Sequence, residues 1–190
     1  MSFYTPGKVI CNGDTFREMI TKEELQSRIA ELGDELSRDF EGKKPIFIGV
    51  LNGAFIFLAD LMRYVTIPCE VDFLKLSSYG DAKVSSGEVT EKKKIDADIE
   101  GRHVILVEDI VDTGLSINYL LNLMNLHHPA SVSVVTLLHK SQATRHDVKI
   151  DYIGFKIPTK FVLGYGLDFA QEGRNLAQVY VLDENSDEKD

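Results

Sequence analysis

Short apolar runs alternate with segments of helical periodicity along the middle of this 190-residue chain, and this alternation restricts the fold more than any other feature. The apolar runs at residues 46–51, 71–76, 103–107 and 131–138 predict strands. Residues 54–65 and 117–126 carry apolar residues at helical spacing between them. Because strands that alternate with helices usually form a parallel, helix-covered sheet, we predict an α/β fold with a central, mostly parallel sheet.

The ends of the chain add a helix and several short extended segments. Thr21 is followed by Glu24 at capping-box spacing and by a helical apolar repeat, which predicts a helix at about residues 21–40. The polar residues 77–101 indicate a long loop or a mobile hairpin. Residues 152–157, 161–163 and 179–182 are typical of short strands at an edge or in a small subdomain. We expect one domain over residues 1–182 and a flexible acidic tail over 183–190.

The composition limits the possible partners and location. Thirty acidic and 21 basic residues give a net charge of −9, which opposes binding to nucleic acid. Cys11 and Cys69 have neither CxxC nor metal-ligand spacing, so we expect reduced thiols and a cytoplasmic protein. We find no apolar run long enough to cross a membrane and no export-signal pattern, so we expect no membrane partner.

The segment VILVEDIVDTGLS at 104–116 contains the strongest chemical pattern of the chain. We expect an apolar strand to stop at Glu108 and Asp109, where α/β sheets bind their ligands. Adjacent carboxylates at such a position predict a Mg²⁺ site, because their burial requires positive charge and Mg²⁺ prefers oxygen ligands. The alternative is an ordinary strand end exposed to solvent.

The next five residues predict a phosphate site at the start of a helix. They are Asp112, Thr113, Gly114, Leu115 and Ser116. A glycine turn into a helix leaves outward-pointing backbone N–H groups, which bind a phosphate monoester well. The alternative is a plain capped helix, since Asp, Thr and Ser are all good N-caps. The whole segment favours an enzyme that handles a phosphorylated ribose.

This pattern resembles the signature of the type I phosphoribosyltransferases, in which two acidic residues follow an apolar strand and precede Asp-Thr-Gly and a hydroxyl residue. The resemblance implies a mostly parallel sheet flanked by helices, with a small hood subdomain from the chain ends. It implies that residues 112–116 bind the 5-phosphate of phosphoribosyl pyrophosphate (PRPP). It also implies that Glu108 and Asp109 face the ribose hydroxyls, directly or through metal and water.

The resemblance covers about residues 8–182 and narrows to the hypoxanthine-guanine phosphoribosyltransferases. The elements in the order of that family are Leu51-Asn52-Gly53, Ser78-Tyr79-Gly80, Lys140 and KFVLGYGLD at 160–168. It implies purine salvage with Mg²⁺, in which the phosphoribosyl group of PRPP moves to N9 of hypoxanthine or guanine. The products would be IMP or GMP and pyrophosphate. Relatives form dimers and tetramers, so a homodimer or homotetramer is expected.

By the same resemblance, Leu51, Asn52 and Gly53 bind pyrophosphate through main-chain groups, and the Leu51–Asn52 bond is expected to be cis. Some relatives have Lys in place of Asn52, and an Asn-Gly pair by itself is a common turn. Asp168 is expected to bind a metal ion that bridges the pyrophosphate. Arg174 is expected to contact the pyrophosphate directly.

The purine site is expected at Lys140, Phe161 and Val162. An ammonium group donates to a carbonyl oxygen but cannot accept from the amine of adenine, which favours 6-oxopurines. The resemblance implies that Phe161 stacks on the purine, and that backbone groups of Val162 and Asp168 read its edge. Without the resemblance, Lys140 is a solvated charge and Phe161 a core aromatic.

Asp112 has a second expected role, as the general base that accepts the N7 proton while N9 attacks the sugar. Ser78 and Tyr79 belong to a polar stretch, residues 77–89, that is expected to close as a lid; the alternative is plain disorder. The chain departs from the family pattern at Gly173, where many relatives have an aromatic residue, and at Ala177, where many have proline.

Two other functions stay open on the sequence alone. A regulator could keep the fold and bind RNA or a nucleotide without catalysis, although the pI of about 5.0 opposes RNA. A phosphoacceptor receiver domain also uses an acidic pair, but at the end of its first strand, whereas here the pair follows the third predicted strand. The preference among hypoxanthine, guanine and xanthine also stays open.

Overall fold

The computed structural model describes residues 4–5, 7–78 and 89–184, which form eleven strands and three helices. In chain order these are β1 (Tyr4–Thr5), β2 (Lys8–Cys11), β3 (Asp14–Ile20), α1 (Lys22–Asp39), β4 (Ile46–Leu51), α2 (Phe55–Leu61), β5 (Glu70–Ser78), β6 (Val89–Lys93), β7 (His103–Val111), α3 (Leu115–Asn125), β8 (Ser131–His139), β9 (Tyr152–Lys156), β10 (Val162–Leu163) and β11 (Val179–Leu182). Among these helices, none is both long and apolar enough to span a membrane.

Six strands form the central sheet in the order β6-β5-β4-β7-β8-β9. All neighbouring pairs from β5 to β9 are parallel, and β6 is antiparallel at one edge. Residues 104–107 of β7 are completely buried in the middle of the sheet. Helices α1 and α2 pack on one face and α3 on the other. The predicted α/β fold is confirmed.

The remaining strands form a separate antiparallel sheet in the order β1-β2-β3-β11-β10. We call it the hood sheet. It joins the two ends of the chain around a small core of Val9, Cys11, Phe16, Leu163 and Tyr180. The extended pieces expected near residues 161–163 and 179–182 belong to it, whereas β9 continues the central sheet. The sequence reasoning did not predict β1 to β3.

Several boundaries differ from the prediction. β7 continues to Val111, so the expectation that the strand stops at the acidic pair is wrong: pairing with β8 carries it through Glu108 and Asp109. Helix α2 ends at Leu61 rather than at residue 65. Thr21 and Glu24 form the expected capping box of α1. Residues 185–190 of the expected tail lie outside the described residues.

Candidate active site

The loop after β4 packs directly against the acidic strand β7. The Leu51–Asn52 peptide bond is cis, as expected. A side chain at Gly53 would overlap the carboxylate of Asp109, and a side chain at Gly166 would overlap the carbonyl oxygen of Gly53. Glycine at these two positions therefore allows three backbone segments to meet at the carboxyl end of the sheet.

The acidic pair, Glu108 and Asp109, lies beside this loop, and the protein provides few hydrogen-bond donors or positive charges to compensate the two carboxylates. Glu108 is 6% exposed, and within the described residues no hydrogen bond to its carboxylate is found. Burial raises the pKa of Glu108 well above its usual range, and the charge of Asp109 raises it further. Burial also raises the pKa of Asp109 to about 6, against the opposing effects of the Ile110 and Asp109 N–H groups and of Arg174. The pair is an electrostatically unfavourable site that a cation would stabilise.

The turn before α3 directs the start of the helix toward the same region. Gly114, with φ of +85°, is the N-cap residue and has no side chain that could cap α3, so the helix does not begin with the Asp, Thr or Ser N-cap of the alternative. The Thr113 hydroxyl accepts one hydrogen bond, from the N–H of Leu115 at 3.4 Å. A small cavity of about 90 Å³ is lined by Glu108 and residues 110–117. A second cavity of about 260 Å³ is lined by Gly53, Asp109, Leu115, Ser116 and their neighbours. The start of α3, the loop after β4 and the acidic pair thus border adjoining cavities.

Lys140 pairs with Asp112 across the sheet edge. The ammonium group lies 2.9 Å from a carboxylate oxygen of Asp112, and only 12% of the lysine side chain is exposed. Lys140 is therefore not a simple solvated charge. The loop after β8 also holds the turn, because the N–H groups of Arg145 and His146 donate to the carbonyl oxygen of Thr113 at 3.0 and 3.2 Å.

Val162 belongs to the hood sheet, and Phe161 immediately precedes its strand β10. Val162 is buried in β10, where it pairs with Val181. The Phe161 ring is 44% exposed, with its centroid 6.1 Å from that of Phe16 and 5.3 Å from that of Phe169. An aromatic ring that is partly exposed and packed on one side does not fit the core-residue alternative.

Asp168 and Arg174 form an ion pair at 2.7 Å. Arg174 also donates to the carbonyl oxygen of Gly166 at 2.9 Å, and its charge acts on the nearby Asp109. The backbone at Gly173 has φ of +91°, and a side chain there would overlap the Leu163 side chain, so this backbone conformation favours glycine. The departure at Ala177 has no explanation in the structure.

The expected lid falls mainly on residues that the structure does not describe. The backbone of Ser78 ends β5, whereas Tyr79 and the stretch up to residue 88 lie outside the described residues. The lid expectation therefore stays a prediction.

Sequence reasoning missed three residues that shape the site. Lys75 donates to the side-chain oxygen of Asn52 at 3.1 Å. Tyr165, with φ of +51°, donates to Asp60 at 2.5 Å and so fixes the loop after β10 to α2. Thr144 donates to the carbonyl oxygen of Asp112 at 2.9 Å. Each contact joins residues far apart in the chain, and no local pattern indicates it.

Within residues 4–5, 7–78 and 89–184, no group of three or more His, Cys, Asp or Glu side chains lies together so that it could hold a metal ion by itself. The carboxylates of Glu108 and Asp109 would need further ligands from elsewhere. Mg²⁺ is commonly bound in this way, by one or two carboxylates together with substrate phosphates.

Comparisons with known proteins agree with this arrangement. A family model described as a phosphoribosyl transferase domain matches residues 17–170. The hypoxanthine-guanine phosphoribosyltransferase of Bacillus subtilis is 43% identical over 169 residues, 89% of this chain and 94% of that protein. The enzyme of the same name from Mycobacterium tuberculosis is 40% identical over 190 residues, 96% of this chain and 94% of that protein. A crystal structure of a hypoxanthine-guanine phosphoribosyltransferase from Bacillus anthracis has a TM-score of 0.83 at 39% identity and covers 87% of this chain and 98% of that chain.

Proposed function

This chain belongs to the phosphoribosyl transferase family, and from this premise we propose that it transfers the 5-phosphoribosyl group of PRPP to a 6-oxopurine. N9 of hypoxanthine or guanine forms a bond to C1 of the ribose, and the bond from C1 to the pyrophosphate oxygen breaks. The products are IMP or GMP and pyrophosphate. The reaction is a step of purine salvage.

One observation carries this proposal: the N-terminus of α3 borders a cavity of about 260 Å³ that both carboxylates of the acidic pair also line, and Lys140 lies against Asp112 at the turn before α3. Residues 112–116 would bind the 5-phosphate through backbone N–H groups and hydroxyls. Such a site selects a sugar phosphate and presents its ribose to neighbouring carboxylates.

Glu108 and Asp109 would contact the ribose hydroxyls and hold Mg²⁺ together with oxygen atoms of PRPP. Their fit to Mg²⁺ rests on their raised pKa values, because a bound cation would offset the burial that disfavours both charged forms and, for Glu108, also the charge of Asp109. When bound, Mg²⁺ neutralises charge that develops on the leaving pyrophosphate. The backbone of Leu51, Asn52 and Gly53 would bind the pyrophosphate at this edge of the sheet.

Arg174 would donate to the pyrophosphate oxygens, and Asp168 would take part in binding its metal ion. Their ion pair at 2.7 Å keeps both groups in position before the substrate arrives. The packing of the site supports this assignment, because Arg174 donates to the carbonyl oxygen of Gly166, Gly166 packs against Gly53, and Gly53 packs against the Asp109 carboxylate.

Lys140 and Asp112 would each contact the purine, Lys140 as a hydrogen-bond donor and Asp112 as a proton acceptor. Lys140 has three N–H protons, of which one contacts Asp112, so two can donate to the exocyclic oxygen of a 6-oxopurine. Asp112 would accept the N7 proton as N9 attacks the sugar. The Phe161 ring would stack on the base, and backbone groups of Val162 and Asp168 would read its edge.

We also propose that Ser78 and Tyr79 close over the leaving group and exclude water. One domain over residues 1–182, an acidic tail, a homodimer or homotetramer and a cytoplasmic location complete the proposal. The two free cysteines, Cys11 and Cys69, support a reducing location.

Side-by-side assays of hypoxanthine, guanine, xanthine and adenine with PRPP and Mg²⁺ test the function. We expect pyrophosphate release with at least one 6-oxopurine and none with adenine. Absence of turnover with all four bases would overturn the proposal, and turnover with adenine alone would overturn the role of Lys140.

Asp112→Asn tests the proposed general base. We expect kcat to fall about 100- to 10,000-fold, because proton transfer contributes on that scale, while the dissociation constant of PRPP changes little. Stopped-flow kinetics and isothermal titration calorimetry give the two quantities. An unchanged kcat would remove Asp112 as the base.

A further inference from the structure

The side chain of Thr144 links the two residues proposed to bind the purine and accept its proton. Its hydroxyl oxygen lies 2.9 Å from the main-chain oxygen of Asp112 and 3.2 Å from that of Lys140. Nε2 of His139 lies 3.0 Å from the same hydroxyl oxygen. One hydroxyl group thus ties the end of β8 to the turn that follows β7.

A count of protons fixes the direction of these hydrogen bonds. A hydroxyl group donates one proton, and carbonyl oxygens only accept. The proton of Thr144 is therefore directed to the carbonyl oxygens of Asp112 and Lys140. His139 must donate from Nε2 to the Thr144 oxygen, which makes it the Nε2-protonated tautomer.

The surroundings of His139 agree with this tautomer. Its Nδ1 atom is buried and has no hydrogen-bond partner in the described part of the chain. A proton on Nδ1 would be a buried, unpaired donor, and a neutral ring protonated at Nε2 has none there. Burial and the charge of Lys156 on the neighbouring strand lower the pKa of His139, in agreement with a neutral ring.

The Asp112 side chain is 48% exposed and lies on a turn, so its position depends on how firmly the main chain of that turn is held. The main-chain groups on either side are held: Val111 accepts from the N–H of Lys140, and Thr113 accepts from two N–H groups of the loop. The Thr144 hydroxyl holds the Asp112 carbonyl oxygen between these two points. A displacement of about 1 Å at a reacting group is enough to lower a rate about 100-fold.

We propose that Thr144 and His139 are positioning residues, whose hydrogen-bond chain through the Thr144 hydroxyl fixes Asp112 beside Lys140 for proton transfer from the purine. This inference rests on the proposed function. It assigns no contact with substrate to either residue. It predicts an effect on kcat that depends on the carboxylate of Asp112.

Thr144→Val and Thr144→Ser form a matched test, because valine keeps the shape and serine keeps the hydroxyl. We expect Thr144→Val to lower kcat about 10-fold, with less than about a 2-fold change in KM for PRPP, as for a base that is mispositioned and not removed. Thr144→Ser should restore kcat to within about 2-fold of the unaltered protein. Equal kcat for the valine variant and the unaltered protein, or a loss in both variants, would overturn the proposal.

A double-mutant cycle separates positioning of Asp112 from general loss of structure. In an Asp112→Asn background, Thr144→Val should change kcat by less than about 2-fold, because the group that Thr144 positions is gone. A full 10-fold loss in that background would mean that Thr144 acts elsewhere. His139→Gln, which keeps an N–H donor, should retain more activity than His139→Phe, and the reverse order would remove His139 from the chain.

The controls distinguish this inference from the proposed function. If the unaltered protein turns over no purine, the proposed function fails. If it is active and Thr144→Val equals it, only the positioning role fails. Circular dichroism melts of every variant, with assays made well below each melting temperature, exclude unfolding as the cause of a lower kcat.

Discussion

Asp72 on β5 and Glu108 on β7 are buried to nearly the same extent, 8% and 6% exposed, yet the protein treats their charges in opposite ways. Asp72 accepts hydrogen bonds from the N–H groups of Phe73, Asp96 and Ala97, and these donors outweigh burial and lower its pKa. Glu108 has no such donors among the described residues, and its pKa is raised. A buried carboxylate that accepts hydrogen bonds from the protein has a structural role, whereas a buried carboxylate without such donors is a candidate for binding a ligand.

The largest expected effect is on catalysis and tests whether Glu108, which lacks hydrogen-bond donors among the described residues, has a functional role. We expect Glu108→Gln to lower kcat/KM for PRPP about 100- to 1000-fold, roughly 3–4 kcal/mol, because the ribose and Mg²⁺ lose a charged ligand. Asp72→Asn, measured at the same temperature, should stay within about 3-fold of the unaltered protein. Similar losses in both variants would show that burial alone, and not the missing donors, predicts function here.

Asp72→Asn tests the structural side by its effect on stability. We expect the free energy of unfolding to fall by about 2–3 kcal/mol, because an amide nitrogen would replace an oxygen that accepts backbone N–H groups. Urea unfolding measures the change. Asp34→Asn, at an exposed position of α1, is the matched control and should change stability by less than about 0.5 kcal/mol. If Asp72→Asn lowers the free energy of unfolding by no more than Asp34→Asn does, the three N–H groups must find other hydrogen-bond acceptors.

The sequence predicts the features that depend on local patterns, and it does not predict those that depend on contacts between distant segments. The apolar runs that form β4 and β8 and the Thr21 capping box are local patterns, so they predict their elements well. The hood sheet pairs two distant segments of the chain. Its strands β10 and β11 gave short extended patterns, whereas β2 and β3 gave only the Asn12-Gly13 turn between them. The continuation of β7 through Glu108 depends on pairing with β8, which no local pattern reveals.

The site follows the same rule. The turn at residues 112–116 is a local motif, and the glycine turn into a helix that it predicts is present, with Gly114 as the N-cap; the phosphate site itself stays a prediction. The pairing of Lys140 with Asp112 spans 28 residues, and the hydrogen bond from Ala97 to Asp72 spans 25. Such contacts arise only when the sheet is assembled, so the partners of each carboxylate could not be read from the sequence.

The smallest expected effect is the pH dependence of stability in the protein without ligands. Folding raises the pKa of Asp109 from 3.8 to about 6, so the folded state binds this proton more tightly than the unfolded state. The stability contributed by protonated Asp109 is present below pH about 4 and is lost as the pH rises through 6. Asp72, whose pKa is lowered, contributes stability that is lost only as the pH falls below about 4.

We therefore expect Asp109→Asn to raise the free energy of unfolding by about 1–2 kcal/mol at pH 8 and to change it little at pH 4. The expected gain is smaller than the roughly 3 kcal/mol that corresponds to the full pKa shift. Urea unfolding across this pH range, without Mg²⁺ or PRPP, measures it. A variant that is less stable than the unaltered protein at pH 8 would mean that the Asp109 charge is already compensated within the protein, and the contrast with Asp72 would then disappear.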